Sequence, residues 1–133
     1  MIPLLDTNVL VRFLTSDRSP AYKELYVFFQ GLERGERHVE LRLIVLFQTV
    51  FVLKSSYKIP KQDIADGMMG LLEYKGLAMK EKRVVRRMIE IWKEHEVDIV
   101  DCYLVASLEG HSDHVLYSYD KDFDRFQINR KEP

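Results

Sequence analysis

Short apolar blocks alternate along this chain with longer amphipathic stretches, and that alternation sets the expected elements. Ile2, Leu4 and Leu5 read as a short buried strand and Val9 to Leu14 as the start of a helix, with Asp6 at the joint and Thr7 and Asn8 available as caps. Ser19 followed by Pro20 signals a helix start for a segment from about Ala21 to Arg34, with Leu25, Phe28, Phe29 and Leu32 on one face and Gly35 as the stop. His38 to Leu41 reads as a strand. From Leu43 to Tyr57 the apolar residues are nearly continuous; their Val, Ile and Phe content permits a strand, but the length points to a buried helix. Pro60 opens a helix over Lys61 to Tyr74, with Ile64, Met68, Leu71 and Leu72 inward and Gly76 as its end. Leu77 to Met79 is a further strand. Residues 81–95 are the clearest amphipathic helix, setting Val84, Val85, Met88, Ile91 and Trp92 against Lys82, Arg83, Arg86, Arg87 and Glu90. Asp98 caps a helix to Glu109, Val115 to Tyr117 is a strand, residues 118–123 form the loop leaving it, and Phe126 to Ile128 make an edge strand before a polar tail, Asn129 to Pro133. Short strands alternating with helices predict one three-layer α/β/α domain over residues 1–133, with a central, mainly parallel sheet of four to five strands.

Size and composition narrow the class. A chain of 133 residues, 47% of them hydrophobic, suits one core, and no apolar stretch reaches the length of a membrane span. The N-terminus has neither the basic region nor the cleavage site of a signal peptide, and Cys102 is the single cysteine, so a cytoplasmic protein is expected. Twenty basic residues nearly balance 21 acidic ones. No global field therefore draws the chain to nucleic acid; such a partner needs a local basic patch or a bridging metal. The basic face of residues 82–87 is ordinarily just solvated, though it could also meet RNA phosphates.

Three acidic positions share a topological address. Asp6 ends the first strand, Asp120 follows the strand at 115–117, and Asp101 lies in the first turn of a helix that begins near the same sheet edge. Acids gathered so closely repel one another unless a cation compensates, and hard oxygen donors suit Mg²⁺ or Mn²⁺. Each also has an ordinary structural role: Asp6 as part of a cap, Asp98 and Asp101 as a capping pair, Asp120 and Asp122 in an Asx turn. His38, His95, His111 and His114 show no zinc-ligand spacing, which together with a lone thiol argues against a zinc site.

Four segments in order resemble the PIN domain, and within it the VapC-type toxins of prokaryotic toxin–antitoxin pairs. They are Leu5-Asp6-Thr7-Asn8-Val9-Leu10, Val50-Phe51-Val52-Leu53-Lys54-Ser55-Ser56-Tyr57, the run Asp98 to Ala106, and Ser118-Tyr119-Asp120-Lys121-Asp122-Phe123. The resemblance implies a Mg²⁺- or Mn²⁺-dependent endoribonuclease with Asp6, Asp101 and Asp120 as its metal-binding acids. Asp98 and Asp122 would be their neighbours, and Thr7, Asn8 and Ser118 supporting groups. It also implies a homodimer, with no membrane association, paired with a VapB-like antitoxin whose C-terminal segment covers the acidic cleft. Tyr22, Tyr26 and Met69 are candidate interface groups.

One position departs from the pattern. The family usually has a glutamate in its third helix where this chain has Gln48, in Leu46-Phe47-Gln48-Thr49-Val50. An amide oxygen can bind a hard cation or its waters but brings no charge and takes no proton as a base. Three outcomes stay open: one ion with a neutral fourth ligand, substitution by another acid (Asp98, Asp122 or Glu40), or a catalytically degenerate module, natural or engineered, that binds RNA or an antitoxin without cleaving it. If buried, Gln48 needs a hydrogen-bond partner. A receiver-like phosphoacceptor domain is a distant alternative, because Asp6 has no second acid beside it.

Overall fold

A computed structural model describes residues 1–16 and 20–133; the expected cap at Ser19 lies outside the described residues. The chain folds as two compact units, Met1–Lys82 and Arg83–Pro133.

In the first unit, α1 (Thr7–Thr15) is capped by Asp6 itself, whose carboxylate accepts from the Thr7 N–H, rather than by Thr7 or Asn8. A 3-10 turn, Pro20–Tyr22, leads into α2 (Lys23–Arg34), which ends where Gly35 takes a left-handed φ of 79°. β1 (Val39–Glu40) pairs in parallel with β2 (Leu77–Ala78). The segment expected as a full first strand makes a single parallel bridge, Leu4 to Glu40, held by Leu5 N–H to Glu40 O at 3.0 Å and Glu40 N–H to Pro3 O at 2.8 Å.

Between the strands run α3 (Leu43–Ser55), packed on α1, and α4 (Lys61–Leu72), which starts after Pro60. The length argument for α3 holds, but the helix is not buried all round. Leu46, Thr49, Val50 and Leu53 are buried, whereas Ile44 is 77% and Phe51 69% exposed. Gly76 does not end α4, which caps at Glu73. It is instead a point of close backbone approach: a Cβ there would lie 1.9 Å from the Arg37 carbonyl oxygen.

The second unit begins with α5 (Lys82–Glu94, whose first residue belongs to the first unit), burying Val85, Met88, Ile91 and Trp92 as its periodicity predicts, with Ile89 buried besides and Val84 only half-buried. Asp98 caps α6 (Ile99–Leu108) by accepting from the Val100 N–H at 2.8 Å. β3 (Leu116–Tyr117) pairs in parallel with β4 (Arg130–Lys131) across a 3-10 segment, Lys121–Arg125. The last strand therefore lies in the stretch read as a polar tail, not at Phe126–Ile128. Pairing is decided by the bonds Leu116 N–H to Asn129 O and Ser118 N–H to Lys131 O, which local composition does not reveal.

Candidate functional site

Apart from Gln48, which lies within α3, each expected site residue sits at a helix start or beside one. In the first unit Asp6 precedes α1, and one of its oxygens holds the Thr7 N–H at 2.7 Å. That bond fixes the carboxylate's direction. The Thr7 hydroxyl donates to Gln48 Oε1 at 2.9 Å, so Gln48 on α3 is joined directly to the first turn of α1. Gln48 is exposed, not buried, and its amide oxygen has the partner its position calls for. Asn8 is exposed one residue further on. Glu40, the alternative acid, is on β1 and forms an ion pair with Arg42.

A cleft of about 830 Å³ opens beside Asp6 within this unit. Asn8, Arg12, Tyr22, Phe28 and Arg37 are among its walls, with the Arg37 guanidinium 4.8 Å over the Phe28 ring. Tyr22 and Met69, considered as exposed interface groups, are half-buried. So is Tyr26, whose hydroxyl lies 3.0 Å from the Ser16 hydroxyl.

In the second unit the negative charges of Asp98 and Asp120 act on Asp101. Asp101, half-buried in the first turn of α6, has its pKa raised by burial and then by the negative charges of Asp98 and Asp120. The capping bond of α6 is made by Asp98, which leaves Asp101 to this charge crowding. Asp120 caps the 3-10 segment by accepting from the Asp122 N–H at 2.9 Å, and its own N–H is held by the Ser118 hydroxyl oxygen at 3.0 Å. The Asx turn expected for Asp120 and Asp122 is thus present, with Ser118 built into it.

Arg130, read only as part of a tail, organises this loop. With 12% of its side chain exposed, it donates to both Asp124 oxygens and to the Ser118 carbonyl. The strand pairing of β4, invisible in a polar pentapeptide, is what brings it there.

The chemistry of each of these carboxylates fits a hard dication. Carboxylates supply charge and oxygen, and one oxygen engaged by an N–H leaves a carboxylate further lone pairs for a ligand. Structural cap and metal ligand are therefore compatible roles for Asp6 and Asp120.

Residues 4–129 match the PIN domain family. PIN domains are three-layer α/β/α folds, and the six α-helices and short parallel strands among the described residues are of that kind. They are generally nucleases, and they commonly use divalent metal ions. No curated protein matches the chain. No helix among the described residues is long and apolar enough to cross a membrane.

Proposed function

The chain belongs to the PIN domain family, and from that premise we propose a single-domain, metal-dependent endoribonuclease of the VapC toxin type that hydrolyses RNA phosphodiesters. Asp6, Asp101 and Asp120 are its metal-binding acids, supported by Thr7, Asn8, Gln48, Asp98, Ser118 and Asp122. The observation that carries this reading is Asp101, half-buried in the first turn of α6, whose pKa is raised by burial and then by the negative charges of Asp98 and Asp120. A hard dication relieves such crowding. When bound, Mg²⁺ or Mn²⁺ supplies a lowered pKa for an attacking water and offsets charge on the scissile phosphate.

The chain's own residues position these groups. The Thr7 N–H orients Asp6, and the Ser118 hydroxyl and Asp122 N–H orient Asp120. Gln48, held by the Thr7 hydroxyl, contributes a neutral oxygen and accepts no proton, so the centre works without a base from α3. Arg12 and Arg37 in the cleft beside Asp6 offer cationic partners to RNA phosphates. A cytoplasmic homodimer paired with a VapB-like antitoxin completes the proposal, and the bare Ile44 and Phe51 on α3 are apolar surface such a partner would cover.

Purified protein with Mn²⁺ should cleave RNA, and Asp6→Asn should lower the rate by about 100-fold or more. Equal rates for the two proteins would refute the assignment. Gln48 favours one second reading, a degenerate module that binds RNA or an antitoxin without cutting. In that case Gln48→Glu turns an inactive protein into an active one.

A further inference from the structure

The turn that leaves α6 gathers metal-ligating side chains that the nuclease reading does not use. Gly110, at a left-handed φ of 78°, reverses the chain. His111 N–H to Leu108 O at 3.0 Å and His114 N–H to His111 O at 3.1 Å then close the turn. The Asn129 side-chain amide donates to the Ser112 carbonyl at 2.5 Å and ties the turn to the segment before β4. The His111 and His114 rings face each other, 4.7 Å between centroids and 13° from parallel. One ligand atom from each of His111, Asp113 and His114 lies within 4.8 Å of the others, and all three residues are exposed.

Spacing and a lone thiol argue against zinc in the sequence; the fold sets a carboxylate beside the two histidines, three residues apart, and leaves all three side chains exposed. Bonds of about 2.1 Å in a tetrahedron set ligand atoms roughly 3.4 Å apart. Exposed side chains reach that by rotating about their own bonds, with the turn unchanged. Two imidazoles and one carboxylate, with remaining positions open to water, form the donor set of an open zinc site. Nitrogen donors select late first-row ions over Mg²⁺.

We propose that His111, Asp113 and His114 form a second metal site, for Zn²⁺ or a similar transition-metal ion, separate from the aspartates assigned to Mg²⁺ or Mn²⁺. Bound there, the ion fastens the connection from α6 to β3, the strand that runs on to Asp120.

The test is a zinc titration of tag-free protein against a chromogenic competitor, on the wild type, on His111→Gln/His114→Gln, and on Asp6→Asn/Asp101→Asn/Asp120→Asn. The proposal expects one equivalent bound by the wild type and by the triple aspartate variant, and affinity lower by about tenfold or more in the double histidine variant. Zinc should raise the unfolding temperature of the wild type and the triple aspartate variant only, and excess Mg²⁺ should not displace it. Equal affinity in the histidine variant, or no zinc bound by the wild type above the competitor, overturns it. Because the triple variant lacks the proposed nuclease centre, failure of that centre leaves this result unaffected.

Discussion

A single substitution separates the two demands on Asp101. Partial burial and two neighbouring acids raise its pKa, so its charged form is disfavoured in the folded chain. The sign follows: the raised group costs stability at pH values above its folded pKa, and the cost lifts as pH falls through that value and the native state takes up its proton first. Asp101→Asn should therefore raise the unfolding temperature at neutral pH in chelator-treated protein while abolishing cleavage. A lower unfolding temperature, measured by calorimetry, would count against charge crowding. Asp98→Ala removes the cap of α6 and should cost about 1 kcal/mol in denaturant unfolding. Capping roles were readable from residue types alone, since aspartates before apolar runs announce them. The bond from Thr7 to Gln48 was not: it joins residues on two helices, and only their packing creates it.

At the scale of elements, Arg130 holds the Asp120 loop through Asp124 and the Ser118 carbonyl. Its hydrogen bond to Asp124 holds that carboxyl below the usual carboxylate range. The stabilisation is thus present above the unfolded pKa of about 3.9 and lost as pH falls through the folded value. Asp124→Asn should be less stable than wild type at pH 6, and the two should converge as pH falls through the folded value; a gap that persists in acid would mean the pair is not its source. Gly76→Ala forces a Cβ against the Arg37 carbonyl and should destabilise the first unit by about 3 kcal/mol or more.

The helices were legible because amphipathic periodicity and Pro or Gly punctuation mark them; α4 and α5 lie within two residues of their expected bounds. The strands were not. Two-residue strands carry no periodicity, and β4 is defined by its partner's hydrogen bonds. Likewise α3 reads as wholly buried by composition, yet Ile44 and Phe51 face solvent. Phe51→Ser should change stability by no more than about 0.5 kcal/mol in chemical unfolding, because little packing is lost.

For the whole molecule, the proposal rests on Asp6, Asp101 and Asp120 serving a single ion. Near-neutral charge, 20 basic against 21 acidic residues, gives no field to gather RNA, so the ion must do much of that work. Replacing Gln48 by Glu adds a fourth charge and should tighten metal binding, while Asp6→Asn should weaken it. The most direct measurement is anomalous diffraction from crystals soaked in Mn²⁺. The account predicts a manganese peak bonded, directly or through one water, to carboxylates of Asp6, Asp101 and Asp120 together; a map in which no ion touches all three would contradict it.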